Sequence, residues 1–248
     1  MSKRIRVLAA AVVLTALPLG GCGRDGPSGG GAGTSGPPPA AASTTVADNG
    51  LLARPAKEIL AAAERALRSA RSVQVEVDYK DKDGPIRMNM RFTKGKDAAG
   101  WIEQAGTRMN LVATGGKYYV RSRKLWEQQG NADLARLIGD RWVLLPSAVV
   151  GEVTPFNTDL TIGGLADMVF DSGSTPTFLR TSRSTAGGRP AVRLQAMDGS
   201  YYIAATGKPY PLLVDGAGDH QDMTFSRYDQ DLVIRAPRGA LDLEKLRG

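Results

Sequence analysis

The chain has 248 residues, 42% hydrophobic and 23% charged, the balance of a protein with one buried core and an ordinary charged surface. Its single cysteine and single histidine exclude a disulfide framework, Cys/His zinc centres and catalysis by a Cys–His pair. The formal charge is +7, but Lys3, Arg4 and Arg6 fall in a leader segment, and the mild excess left on the processed chain gives no reason to expect a nucleic-acid partner.

Residues 1–21 read as an export signal: the three basic residues, an apolar stretch from Val7 to Leu17 broken only by Thr15, and a small-residue end. The apolar stretch is too short to cross a bilayer, which takes about 20 helical residues. Leu19-Gly20-Gly21-Cys22 resembles a bacterial lipobox, in which the cysteine becomes the acylated N-terminus, so Cys22 is the expected lipidation site. A diacylglyceryl anchor there would hold the protein on the outer face of the cell membrane, since more than one acyl chain is needed for lasting attachment. Residues 22–50 read as a disordered tether: 23 of the 28 residues after Cys22 are Gly, Pro, Ala, Ser or Thr, a composition that cannot build a core.

Regular structure is expected from Leu51 to Gly248 as one domain. Ile59, Ala62, Ala63, Ala66, Leu67 and Ala70 recur at helical spacing after Pro55 and predict a helix over 56–71. At Ser72 the period becomes two: Val73, Val75, Val77 and Tyr79 alternate with polar residues, as do Ile86, Met88, Met90 and Phe92. Centring a turn on Asp83-Gly84 pairs Tyr79 with Met88, Val77 with Met90 and Val75 with Phe92. The same test at Gly115-Gly116 sets Ala113 against Tyr118 and Leu111 against Val120. At Asp198-Gly199 it sets Ala196 against Tyr201 and Leu194 against Ile203. Short helices are expected after Asn131, carrying Leu134, Leu137 and Ile138 to a stop at Gly139, and after Asp159, carrying Leu165, Met168 and Val169. Strands are expected over 141–145, 177–183, 191–196, 201–205, 212–215, 223–228 and 232–235. The result is an antiparallel meander of α+β class.

Catalytic chemistry is sought without success. Asp81-Lys82-Asp83-Gly84 echoes a calcium loop, but an EF-hand register puts Tyr79 at the first ligand position. His220, beside Asp219 and Asp222, reads as a solvated turn. Any two of the 25 acidic residues could converge in space as a hydrolase pair, yet no spacing indicates it. No catalytic residue, metal or cofactor is expected. The apolar face is rich in methionine, which suits irregular volumes and varied apolar ligands.

Four segments carry a family resemblance: the helix-to-strand junction Ser69-Ala70-Arg71-Ser72-Val73, Gly116-Lys117-Tyr118-Tyr119-Val120, Asp140-Arg141-Trp142-Val143-Leu144-Leu145-Pro146, and Thr206-Gly207-Lys208-Pro209-Tyr210-Pro211-Leu212. With the lipobox and spacer, they look like the LolA-like lipoprotein-carrier superfamily, nearest its actinobacterial LppX/LprAFG lipoproteins. The resemblance implies a strongly curved antiparallel sheet, a half-barrel closed by a few helices over an apolar cavity. It also implies a lipid or glycolipid ligand whose acyl chains enter that cavity, transport or presentation in the envelope, and a possible transporter partner. The cavity residues it implies are Val75, Val77, Tyr79, Met88, Met90, Phe92, Met109, Leu111, Tyr118, Leu165 and Met168. The alternative is a non-enzymatic envelope interaction module with a filled core. The anchor is directly testable: Cys22→Ser should abolish fatty-acid labelling and release the protein from the membrane fraction, whereas labelling equal to wild type would contradict it.

Overall fold

A computed structural model describes residues 48–81, 84–128, 132–146, 160–170, 176–216 and 221–247. Cys22, the leader, most of the tether and His220 lie outside the described residues.

A short 3-10 turn, Leu51–Ala53, leads into helix α1, Ala56–Ser69. Its apolar stripe is mostly alanine, so the helix backbone can approach a sheet closely. Ala70 is extended, and the chain runs straight into β1, Ser72–Asp81, followed by β2 Gly84–Thr93, β3 Ala98–Gln104, β4 Thr107–Thr114 and β5 Lys117–Arg121. Helices α2, Arg123–Gln128, and α3, Ala132–Ile138, precede β6, Val143–Leu145, and α4 covers Ile162–Phe170. The second half supplies β7 Phe178–Ala186, β8 Arg189–Ala196, β9 Gly199–Ala204, β10 Pro211–Gly216 and β11 Gln221–Ser226, then β12 Leu241–Asp242 and α5 Leu243–Arg247.

These strands form one open twelve-stranded sheet in the order β12-β6-β5-β4-β3-β2-β1-β11-β10-β9-β8-β7. Two meanders meet where β1 pairs with β11. At a twist of about 20–25° per strand pair, a sheet this wide curls. The class is α+β, a half-barrel. The expectation of purely antiparallel pairing needs one correction, since β12 joins β6 in parallel. That pairing is possible because the long return from β6 to the C-terminus supplies the crossover a parallel pair requires.

The inner face is the odd-numbered face of β1, and α1 covers it with two stripes. Ala66, Leu67 and Ala70 join the main core with Val73, Val75, Met90 and Phe225. Ile59, Ala62 and Ala63 pack with Val192, Leu194 and Ile203 of the second meander. α4 is tied to α1 by Arg68, whose guanidinium meets Asp167 at 2.6 Å.

Two hairpin registers differ from expectation by two residues. Tyr79 faces Ile86, Val77 faces Met88, Val75 faces Met90 and Val73 faces Phe92. In the third hairpin Leu194 faces Tyr201 and Val192 faces Ile203, while the pairs at Gly115-Gly116 are as expected. The reason is common to both shifts: the glycine of each Asp-Gly begins the returning strand, Gly84 opposite Asp81 and Gly199 opposite Ala196. Pro85 then lies one residue beyond the last β2–β3 pair, Ile86 with Gln104, so β3 does not call on its missing N–H. A shift of two keeps every side chain on its face.

The strand expected over 232–235 does not form. Arg227 and Asp229 take positive φ, 51° and 57°, and turn the chain off the sheet, so Leu232 and Ile234 are half-buried without strand partners. Asp229 locks this turn to the helix-to-strand junction. Its carboxylate accepts from the Arg71 backbone N–H at 2.8 Å, Lys208 Nζ at 2.9 Å and the Tyr210 hydroxyl at 2.7 Å. Tyr210 stacks on Tyr228 at 3.9 Å. The Gly207-Lys208-Pro209-Tyr210 segment is thus the other half of a latch. Burial alone would raise the Asp229 pKa, but these three donors hold it at about 2.

A carboxyl depressed from 3.8 to about 2 stabilises the fold above pH ~4 and loses that contribution as pH falls through 2. Asp229→Asn should cost about 1–2 kcal/mol at neutral pH, allowing for partial exposure, and should flatten the pH 4-to-2 limb of a stability–pH curve. An unchanged limb would contradict the latch.

Candidate functional site

One cross-strand row builds the site. Val77 on β1 faces Met223 on β11, Met223 faces Val214 on β10, and Val214 faces Tyr201 on β9. The row spans three strand spacings, about 14 Å. At its two ends Met88 and Leu194 are buried, but in the middle Met223, Val214 and Tyr201 are only half-buried. Met168 and Val169 of α4 stand over this middle part, leaving a cleft of about 350 Å³.

The mouth is polar. Asp198, at the turn before β9, and the Tyr201 phenol join the apolar lining there, whereas Ser200 and Asp215 alternate with Tyr201 and Val214 and so border the cleft through their backbone, with Ser200 Oγ accepting from Arg193. Phe170 lies parallel to the Tyr201 ring at 6.5 Å and Phe178 meets it edge-on at 6.3 Å. Burial, and secondarily the charge of Asp198, raises the Tyr201 pKa, so its phenol is a neutral hydrogen-bonding group. No hydrogen bond joins Asp198 to Asp215 among the described residues, and no cluster of His, Cys, Asp or Glu there could hold a metal. The arrangement can take an apolar chain into the interior and accept hydrogen bonds from hydroxyl groups at the mouth.

Three of the expected cavity residues, Val77, Tyr79 and Met168, line this cleft. Val75, Met88, Met90, Phe92, Met109, Leu111 and Leu165 are instead buried in the main core, with Tyr118 half-buried against it. Met90 is fully buried. Their position follows from the helices: α1 and α4 pack into the same core as these strands, so alternation marks the inner face without marking where it is left uncovered. Val169, Tyr201, Val214 and Met223 were missed as lining. Each sits on a recognised periodic segment, but only the pairing of β1 with β11, distant in sequence, joins them.

No family model and no curated protein matches this chain. Among solved structures, LprF from Mycobacterium bovis matches with a TM-score of 0.52 at 15% identity, over 74% of this chain and 97% of that one. An uncharacterised conserved protein from Thermus thermophilus gives a TM-score of 0.34 at 14% identity, over 75% of this chain and 97% of that one. The MucA/MucB complex of Pseudomonas aeruginosa gives 0.31 at 16%, over 70% of this chain and 55% of that one.

The close strand approach beside the cleft depends on Gly199. Its φ is 150°, and a Cβ there would lie 2.2 Å from the Asp215 carbonyl oxygen. Gly199→Ala should therefore cost about 2–4 kcal/mol in urea unfolding. Gly116→Ala, at φ 72° with open space around it, should cost only about 1 kcal/mol. Equal costs would contradict the packing described. The LprF match covers most of both chains, so the domain is an α+β half-barrel that shares the fold of LprF.

Proposed function

We propose that this protein is an extracytoplasmic, membrane-anchored lipoprotein that takes acyl chains of a lipid or glycolipid into the cleft under α4 and carries or presents them in the envelope. The observation that supports this best is the apolar cleft of about 350 Å³ between α4 and the Val77–Met223–Val214–Tyr201 row. That volume lies at the lower end of the roughly 300–1,000 Å³ of small-molecule sites. It suits one alkyl segment rather than several chains, each methylene contributing about 0.8 kcal/mol on burial. Asp198 and the Tyr201 phenol at the mouth favour a hydroxyl-bearing headgroup such as a sugar. Met197 and Leu179, 74% and 61% exposed, are the apolar contacts for membrane exchange.

In this reading Val77, Tyr79 and Met168 touch the ligand, and the other eight expected residues belong to the filled core beside the cleft. Its ligand chemistry is binding without catalysis. The LprF fold supports a lipoprotein of the carrier type.

The test compares two substitutions in protein purified from its membrane and loaded from lipid vesicles. Val214→Trp fills the cleft: bound lipid, read by mass spectrometry, should fall severalfold while stability changes by less than about 0.5 kcal/mol. Met90→Trp overpacks a filled core and should cost about 1–3 kcal/mol. Undiminished lipid in Val214→Trp, or wild-type protein that takes up none, would favour a binding module with a filled core.

A further inference from the structure

A second concavity lies on the sheet's other face. Its floor is formed within two cross-strand rows, by Gln74, Arg91, Ala99 and Val112 of the row that begins at Ser226 and by Glu76, Asn89 and Trp101 of the row from Thr224 to Asn110. Each row crosses four strand spacings, about 19 Å. Residues Leu232 to Arg235 also line the trench, and its volume is about 700 Å³.

Polar groups on the floor are fixed in a network. Gln74 Nε2 donates to Glu76 Oε1 at 2.9 Å and to Asn89 Oδ1 at 3.1 Å, Asn89 Nδ2 donates to Glu76 Oε1 at 3.0 Å, and Arg91 Nε donates to Gln74 Oε1 at 3.3 Å. Glu76 thus accepts both amide donors through Oε1. Arg108 covers the Trp101 ring at 3.9 Å, and nearby Asp231 is paired with Arg71 at 2.9 Å.

Arg227 and Arg235 differ from these. Both line the trench, both are exposed, and neither has an ion pair or hydrogen bond among the described residues. Arg227 also holds φ at 51°, where a non-glycine residue costs about 1 kcal/mol. Asp229, in the same turn, shares that strain but closes the latch to Arg71, Lys208 and Tyr210. The Arg227 guanidinium makes no such contact among the described residues.

We infer that this trench binds phosphate esters, with Arg227, Arg235 and Arg91 as their contacts. Guanidinium pairs bidentately with oxyanions, and a phosphate has enough oxygens to engage more than one guanidinium, which a carboxylate does less well. The trench is on the opposite face from the cleft, so this inference stands apart from the carrier reading.

The test uses the full chain in nonionic detergent. Binding of glycerol 1-phosphate is measured by calorimetry, and binding of phosphatidylglycerol in mixed micelles is measured against phosphatidylcholine. Binding in both arms identifies the free ester as sufficient; binding in the phosphatidylglycerol arm alone identifies a lipid-borne phosphate. In either case Arg227→Gly with Arg235→Ala should weaken binding at least tenfold. Arg227→Gly alone should leave Tm unchanged or raised, because glycine accepts the backbone conformation. Val214→Trp, on the other face, should leave phosphate binding as in wild type. Binding in neither arm, or equal affinity in the double variant, would overturn the inference.

Discussion

A twelve-stranded open sheet must bury one whole face, and in this molecule α1 shares that work with α2, α3, α4 and α5, each of which puts buried residues into the main core. α1 presents two stripes at once: Ile59, Ala62 and Ala63 against the β8–β9 side, and Ala66 and Leu67, continued by Ala70 just past its end, against the β1 side. A helix of 14 residues is about 21 Å long, which matches the four strand spacings, about 19 Å, from β1 to β8. The small side chains let the backbone sit deep in the concavity. Larger ones would lift the helix and uncover Val75, Leu194 and Ile203, each now buried.

The cleft follows from where this cover ends. α4 is nine residues long and is held against α1 through Arg68 and Asp167, which fixes Met168 and Val169 over the β11–β10–β9 strands. The row beneath has buried residues at both ends and half-buried ones in between. A solid core and a ligand cleft are therefore adjacent stretches of one continuous inner face. The Asp229 latch holds the outer side of the same region, joining the start of β1 to the chain that leaves β11.

Much of this architecture was legible in the residues. The 3.6-residue period predicts a helix to Arg71 and the two-residue period a strand from Ser72; β1 begins at Ser72 as expected, while α1 ends two residues early, at Ser69. The glycine pair at Gly115-Gly116 revealed its register because both glycines stay in the turn, at φ 58° and 72°. Asp-Gly did not, since Gly84 and Gly199 each start a strand. Alternation over 232–235 suggested pairing, but the two positive-φ residues before it lead the chain away from the sheet. β3 escaped notice because Ala98, Gly100 and Ile102 make a weak stripe. Gly100 is there because a Cβ would lie 2.0 Å from the Asn89 carbonyl oxygen. The cleft itself was the least legible part: Val77 and Met168 were within reach of local pattern, but Val214 and Met223 become neighbours of Val77 only through the long-range β1–β11 pairing.

The central claim is that an acyl chain lies against the Val77–Met223–Val214–Tyr201 row, and photo-crosslinking addresses it directly. The full-length protein would be loaded with a fatty acid carrying a diazirine along its chain, irradiated, digested and mapped by mass spectrometry. The account predicts adducts concentrated on peptides containing Met168, Val214 and Met223, and competed away by unlabelled lipid. Adducts that are absent, resist competition or fall on the outer face around Trp101 would contradict it.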